Sequence, residues 1–211
     1  IDSEIAYTGG AGLCDEFANG DNPREYWHDV MVRIVGPCVD DWVALFTRTF
    51  RVWAPKIPLP QLPVAPSHEA DQYGRVVSNR SARDSEIRRS LVKHILHAQK
   101  RVWIAVPYFV PSRKFRSKLA LCAARGVDTR LLLPGPLTDN LASRYMAHRY
   151  YKKLLKNGVK IYEYQPRFIH AKIFIADDWC SIGSSNLDRW NLIWNLDANQ
   201  EIYHAEFTAE V

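Results

Sequence analysis

An alternation of amphipathic helices and short apolar strands between residues 84 and 164 limits the folds open to this chain. Apolar side chains recur about every three to four positions after Asp84 and again in residues 113–125 and 141–156, a spacing typical of helices packed on one face. A shorter apolar run follows each helical segment. These runs lie at residues 102–106, 127–133 and 159–164. The resulting β-α-β-α-β order predicts the α/β class, with a largely parallel sheet and helices on both faces.

The composition fits a folded domain with anionic partners. The chain has 211 residues with 47% hydrophobic side chains, enough for a sizeable core in one or two domains. Its formal net charge of +5 favours phospholipid headgroups or nucleic acid over cationic ligands. No segment approaches the roughly 18 to 20 consecutive apolar residues that a membrane-spanning helix needs.

The cysteines do not predict a metal centre. Cys14, Cys38, Cys122 and Cys180 are far apart in sequence and form no C-x-x-C pair. Reduced thiols in a cytoplasmic setting are therefore the simplest interpretation, although spacing alone leaves a disulfide open. The histidines also lack the spacing of metal ligands, so we expect no metal and no cofactor.

A proline-rich stretch divides the chain. Residues 54–83 include five prolines, between Pro55 and Pro66, and few periodic apolar positions. Prolines at this density favour extended connecting segments over helices or central strands. We therefore interpret residues 54–83 as a linker between one unit at residues 1–53 and another at residues 84–211.

The candidate chemistry is concentrated near the C-terminus, in the pattern H-x-K-x4-D formed by His170, Lys172 and Asp177. Residues 167–176 are rich in Ile and Phe and predict a strand, on which residues two apart point to one face at a spacing of about 6.6 Å. His170 and Lys172 can therefore address one small group. An imidazole can attack phosphorus or protonate a departing alkoxide, while an ammonium neutralises charge on the phosphoryl oxygens. Asp177 begins the turn that follows.

A second motif, G-S-S-N, follows six residues after Asp177. Its Ser184, Ser185 and Asn186 carry neutral hydroxyl and amide donors, which suit the non-bridging oxygens of a phosphate without requiring a metal. An H-x-K pair alone is common by chance and usually lies on a solvated face. The two motifs together favour a phosphodiester pocket.

These motifs resemble those of the phospholipase D superfamily, whose signature is H-x-K-x4-D followed by G-S-x-N. Residues 102–201 are most similar to its bacterial cardiolipin synthase branch, with further matches at 107–111, 126–128, 186–188 and 195–199. The resemblance implies a phospholipase D-like mixed, largely parallel sheet flanked by helices. It also implies a glutamate eleven residues after the motif asparagine, which orients a catalytic histidine. Asp197 occupies this position and is one methylene shorter.

The N-terminal residues form a faint repeat of the same pattern. Asp2, Gly9 and Gly10 parallel Asp177 and the G-S pair at residues 183–184, with one additional residue before the glycines. Members of the superfamily with two motifs bring two histidines to one phosphate. The resemblance thus implies that residues 1–53 are the tail of a first half whose own H-x-K lies upstream, and that residues 84–211 are a nearly complete second half. The alternative is a simple strand and glycine turn.

By this resemblance the expected activity is phosphatidyl transfer, similar to that of cardiolipin synthase, through a phosphatidyl-histidine intermediate. His170 would act as general acid and base, with a first-motif histidine as nucleophile, although the reverse assignment stays open. The expected partners are the upstream first-motif segment, an anionic phospholipid such as phosphatidylglycerol and the cytoplasmic membrane face of a bacterium. The cations of residues 141–156 could contact such lipid, but a solvated face is the simpler interpretation.

Three alternatives remain open at this stage. A phospholipase D hydrolase would use the same residues with water as the acceptor. A metal-independent nuclease of the superfamily would act on nucleic acid, a less favoured partner, and would bind it in a salt-sensitive manner. A non-catalytic binding module is the third alternative, because the chain contains one complete motif.

Overall fold

The computed structural model describes residues 3–17, 26–59, 73–81, 84–188 and 195–211. The strands are β1 (Ile5–Gly9), β2 (Met31–Val35), β3 (Tyr73–Ser81), β4 (Asp84–Ser85), β5 (Arg101–Ala105), β6 (Phe109–Val110), β7 (Asp128–Pro134), β8 (Lys160–Tyr164), β9 (Ile173–Ala176), β10 (Trp179–Gly183), β11 (Leu187–Asp188) and β12 (Ala198–Tyr203). The helices are α1 (Cys38–Trp53), α2 (Glu86–His97), α3 (Arg113–Ala124), α4 (Leu141–Lys156) and α5 (Ala205–Glu210). Among the described helices, none combines the length and the apolar content needed to cross a bilayer.

One large sheet organises the molecule, with the strand order β4-β3-β12-β10-β9-β5-β7-β8. The α/β class and the mixed sheet flanked by helices are confirmed. Parallel pairing among the described strands of this sheet joins β5 to β7 and β7 to β8, so the parallel part is smaller than predicted. The reason is the connections. Helices α3 and α4 return the chain for parallel pairing, whereas a short turn joins β9 to β10 and forces them antiparallel.

Helices cover both faces of the sheet. On one face, α2, α3 and α4 bury an apolar cluster that includes Leu91, Leu119 and Phe174, each at most 1% exposed. On the other face, β1, β2 and α1 pack against the central strands. Trp42 of α1 donates a hydrogen bond from Nε1 to Oε1 of Gln200 at 2.8 Å, which fixes α1 over β12. The N-terminal segment is thereby attached to the sheet that carries the H-x-K motif.

Strand β3 corrects the extent of the predicted linker. The strand begins at Tyr73, inside the predicted linker at residues 54–83, and pairs antiparallel with β12. Its Val77 is fully buried in the main core, and the proline cluster ends before the strand starts. The proline-rich composition of residues 55–66 therefore did not predict the structure of the residues that follow them. The division into two phospholipase D-like halves stays a prediction, and residues 60–72 lie outside the described part.

Asp177 serves the fold, at the opposite end of β9 from Lys172. Its backbone lies in the left-handed region, with φ of 54°, in the turn between β9 and β10. Its carboxylate accepts hydrogen bonds from the backbone N–H groups of Gln99 and Lys100 at 2.8 Å and of Arg101 at 3.0 Å. Burial opposes ionisation, but these three donors prevail and lower the pKa of Asp177. Asp177 begins the turn, as predicted, but β9 separates its carboxylate from His170, and a catalytic role for Asp177 stays a prediction.

Replacing Asp177 with Ala should lower the free energy of unfolding by about 2 to 3 kcal/mol. Three backbone donors would lose their acceptor, and alanine tolerates the left-handed conformation less well. Urea titration of the chain would measure the change. The matched control is Asp178→Ala at the exposed neighbouring side chain, which should alter stability by less than about 0.5 kcal/mol. Equal effects of the two substitutions would contradict this role.

Candidate active site

The H-x-K pair lies just before β9, on a segment held by the N-terminal part of the chain. The predicted strand at residues 167–176 is shorter than expected, because β9 begins at Ile173. Before it, the backbone N–H of His28 donates to the carbonyl of Phe168 at 2.8 Å, and the N–H of His170 donates to the carbonyl of His28 at 2.7 Å. An isolated parallel bridge joins His28 to Ile169. The two ends of the chain therefore build this segment together.

Asp29 is the closest partner of the His170 imidazole. The ring Nδ1 lies 2.7 Å from Oδ2 of Asp29, whose side chain is 4% exposed. With Nδ1–H donating to the carboxylate, Nε2 is the nitrogen left for attack or proton transfer. The other carboxylate oxygen accepts the backbone N–H of Val30 at 2.7 Å, which orients Asp29. Sequence reasoning missed Asp29.

Lys172 places a buried cation beside this pair. Its side chain is 3% exposed, and its Nζ lies 3.0 Å from each ring nitrogen of His170 and donates to the His170 carbonyl at 2.6 Å. Burial lowers the pKa of Lys172 to about 8, against the opposing field of Asp29, Asp197 and Asp139. The ammonium is thus still the main form of Lys172 at neutral pH, and a phosphate bound beside it would form an ion pair with it.

Gly10, the second glycine of the N-terminal motif, lies beside Asp29 and Lys172. A Cβ on Gly10 would lie 2.6 Å from Oδ2 of Asp29 and 2.9 Å from Nζ of Lys172. At Gly9 a Cβ would lie 2.3 Å from the carbonyl oxygen of Val30. Only glycine permits so close an approach of the backbone to the charged groups. The structure therefore brings Gly10 to the H-x-K pair, whereas Gly9 packs against Val30 and Met31. Asp2 lies outside the described residues.

The G-S-S-N loop leaves β10 against the start of β12. A Cβ on Gly183 would meet the carbonyl oxygen of Ala198 at 2.3 Å, which explains the glycine. The hydroxyl of Ser184 donates to Oδ1 of Asp197 at 2.9 Å. Oγ of Ser185 and Oδ1 of Asn186 are buried and lack a hydrogen-bond partner among the described residues. Buried polar atoms without partners are uncommon in proteins, so these two atoms mark a place for a polar ligand.

Asp197 is the second carboxylate of the site. It is 8% exposed, and its Oδ2 has no hydrogen-bond partner within the described chain. Burial, with a further contribution from Asp188, raises the pKa of Asp197 to about 6, although the hydroxyl of Ser184 and the charge of Lys172 act in the opposite direction. An acceptor oxygen that is buried and unpaired is suited to a donor that the described residues do not supply.

Three aromatic rings form a collar around His170, which we define as Phe17, Trp27 and Phe168. Their ring centroids lie 5.4, 4.9 and 5.9 Å from that of the imidazole. Trp27 also makes edge contacts with the other two rings of the collar. The collar limits the orientations of the imidazole and lines it with apolar surface. No sequence motif indicated this arrangement.

The structure thus joins His170, Lys172, Gly10 and the unpredicted Asp29 in direct contact. A profile of the family described as cardiolipin synthase, PLD-like domain, matches residues 91–211. This chain belongs to that family. The predicted resemblance to the phospholipase D superfamily is confirmed.

Proteins similar in sequence to this chain include cardiolipin synthases. The chain is 30% identical over 222 residues to cardiolipin synthase 1 of Bacillus anthracis, with 100% of the chain and 43% of that protein aligned. It therefore spans less than half the length of this curated relative. Among solved structures, phosphatidylserine synthase from Haemophilus influenzae Rd KW20 is similar over 99% of this chain and 57% of its own, with a TM-score of 0.72 and 14% identity.

A shorter solved structure shares the same fold. Nuc from Salmonella typhimurium, a phospholipase D family member, is similar over 66% of this chain and 89% of its own. The TM-score is 0.54 at 16% identity. At such identities the two structural similarities show the fold alone.

The raised pKa of Asp197 predicts how stability depends on pH. Its pKa is about 6 in the folded chain against an ordinary 3.8, so the folded state binds more protons than the unfolded state between these values. Stability should therefore fall as pH rises from about 4 to about 6. The variant Asp197→Asn removes this loss, and its advantage over the natural chain should grow by about 2 to 3 kcal/mol across that window.

Urea unfolding of both chains from pH 4 to pH 7 would measure the difference. The control is Asp40→Asn at an exposed position of α1, where no such growth is expected. A pH-independent difference between Asp197→Asn and the natural chain would show that Asp197 ionises without penalty.

Proposed function

We propose that this chain contributes one half of the catalytic centre of a cardiolipin synthase-like phosphatidyltransferase. The observation that carries the proposal is the hydrogen bond between His170 Nδ1 and Asp29, with the Lys172 ammonium beside the same ring. This geometry engages Nδ1 with a carboxylate and leaves Nε2, 3.0 Å from the Lys172 ammonium, as the nitrogen for chemistry. It also places that cation where phosphoryl charge would develop. Family membership supplies the class of reaction.

The reaction would proceed in two displacements at one phosphorus. A nucleophilic histidine forms a P–N bond while the bond from phosphorus to the departing glycerol oxygen breaks, and that oxygen takes a proton from the second histidine. The oxygen of an incoming alcohol then forms a new P–O bond while the P–N bond breaks, and the alcohol proton passes to the second histidine. We assign His170 as the acid and base, since Asp29 stabilises the imidazolium that forms in each cycle. The reverse assignment would use the same residues.

The contact between Asp29 and His170 also supports a proposal for where the nucleophilic histidine comes from. A carboxylate from the N-terminal part of the chain holds the histidine of the C-terminal motif. Asp197 offers the reciprocal carboxylate, buried and with Oδ2 unpaired within the described residues. We infer that this oxygen accepts a hydrogen bond from the histidine of an upstream H-x-K motif. Ser184, which binds Asp197, would then act on orientation, while Ser185 and Asn186 contact the phosphate.

The proposed substrate is an anionic phospholipid such as phosphatidylglycerol, at the cytoplasmic surface of a bacterial membrane. The net charge of +5 favours such a surface, and cardiolipin synthases among the relatives support the lipid class. The apolar collar around His170 suits a site that receives a lipid alcohol and limits access of water. Hydrolysis and nucleic-acid cleavage would use the same imidazoles and are therefore outcomes of the test.

The test uses the complete product of the gene that encodes this chain, incubated with phosphatidylglycerol vesicles in the presence of a chelator. Lipid mass spectrometry should detect cardiolipin, and His170→Asn should reduce its formation by at least about a thousandfold. Phosphatidic acid without cardiolipin would replace transfer with hydrolysis. Cleavage of DNA without any lipid product would replace the proposal with a nuclease. A phosphatidyl-histidine adduct, trapped by denaturing the enzyme at neutral to alkaline pH because the P–N bond is acid-labile, would separate a covalent intermediate from direct displacement.

A second substitution tests the positioning role of Asp29. Asp29→Asn keeps the shape of the side chain but removes its charge and disturbs the hydrogen bond to Nδ1. We expect kcat for cardiolipin formation to fall by about 10² to 10⁴, with little change in KM, since the loss acts on proton transfer.

The matched control is Asp40→Asn on α1, which should retain the natural rate. Urea unfolding would establish that both variants fold. A rise in KM with kcat unchanged would show instead that Asp29 serves substrate binding.

A further inference from the structure

Helices α3 and α4 carry an unusual share of the positive charge. Four of the Lys and Arg residues lie on α3 and five on α4, and neither helix contains Asp or Glu. The whole chain has 28 basic and 23 acidic side chains, so without these nine the balance becomes 19 against 23. The net positive charge of the chain is therefore a property of this pair of helices. Local clusters of one sign attract ligands of the opposite sign.

A groove with a volume of about 440 Å³ separates the two helices. Its charged lining consists of Arg113 and Arg116 from α3 and Arg149 and Lys153 from α4, and no acidic side chain of the described residues lines it. None of these four cations forms an ion pair with a described residue, whereas Arg144 on α4 binds Glu163 at 3.2 Å. The groove therefore gathers positive charge that the described protein does not neutralise.

Apolar side chains share the groove and its surroundings. Leu121 lines the groove and is 50% exposed, and Ala120 and Ala124 lie on the same side of α3. On α4, Tyr145 precedes Arg149 by one turn and is 70% exposed. A surface that mixes exposed leucine and tyrosine with lysine and arginine is typical of proteins that rest on an anionic bilayer, where the apolar groups enter the headgroup region.

The same contacts argue against single-stranded nucleic acid in this groove. Single strands are bound by stacking of bases on open aromatic faces. The aromatic residue of the lining is Tyr150, and the guanidinium of Arg116 covers its ring at 3.8 Å from the centroid. The ring is therefore used within the protein, and it holds one cation at a fixed position in the groove.

We propose that this α3–α4 groove binds the phosphate headgroups of anionic phospholipids and docks the protein on a bilayer, apart from the catalytic site. Its position suits that role. Asp139, in the loop before α4, hydrogen-bonds Tyr108 and lies close enough to Lys172 to act on its charge, so the first turn of α4 adjoins the active site. A bilayer bound along α3 and α4 would thus lie beside the site that uses lipid. The choice of lipid over nucleic acid rests in part on the proposed function.

The experiment is co-sedimentation of this chain with two kinds of vesicle, one of phosphatidylcholine alone and one of phosphatidylcholine with an equal amount of phosphatidylglycerol. Binding should require phosphatidylglycerol and weaken with salt. Arg149→Glu/Lys153→Glu should weaken it by at least about tenfold, because each basic side chain near an anionic surface contributes substantially to binding. The matched control, Arg51→Glu/Lys56→Glu, makes the same charge change at exposed positions in and beyond α1 and should stay within about threefold of the natural chain.

Three results would overturn the proposal. These are equal binding to both kinds of vesicle, equal losses in the two double variants, or a loss confined to binding of a DNA duplex in a parallel anisotropy titration. His170→Asn should bind vesicles as the natural chain does. If the complete gene product binds these vesicles but yields no lipid product, the proposed catalytic function fails while the docking site stands.

Discussion

The hydrogen bond between His170 and Asp29 is the interaction on which the site depends. Its partners are 141 residues apart in sequence, so neither end of the chain contains the pair alone. Several features serve to hold it, among them the backbone pairing of His28 with the H-x-K segment and the packing of α1 on β12. Gly10 completes the arrangement, because any side chain there would displace the carboxylate or the ammonium. The N-terminal segment is therefore part of the site around His170.

The same site holds charges at a cost to stability. Burial disfavours both the ammonium of Lys172 and the carboxylate of Asp197, and it moves their pKa values toward neutrality from opposite sides. In the same place, Oγ of Ser185 and Oδ1 of Asn186 are buried and lack a hydrogen-bond partner among the described residues. Burial of these groups lowers the stability of the fold but leaves the site able to bind an anion, a pattern typical of active sites.

Local sequence patterns predicted those features that local physics determines. Helices α3 and α4 follow from periodicity, and the candidate H-x-K pair and G-S-S-N loop were found from motif spacing. The unpredicted features all depend on which distant segments pair. Nothing in the sequence around Asp29 marks it, and it reaches His170 because His28 pairs with Ile169. Likewise, β3 follows a proline-rich stretch and is placed in the sheet by its pairing with β12. Asp177 was assigned to the pocket because the motif contains it, and strand geometry was needed to place it elsewhere.

The spacing of the motif can now be understood as a length. The four residues between Lys172 and Asp177 are the four residues of β9, a central strand with neighbours on both sides. Its far end is fixed by the amides that bind Asp177, and its near end by the contacts of His170. Adding or removing one residue would turn the H-x-K side chains to the opposite face of the sheet or break one anchor. The length of β9 thus fixes the distance between the H-x-K pair at one end of the strand and the anchored Asp177 at the other.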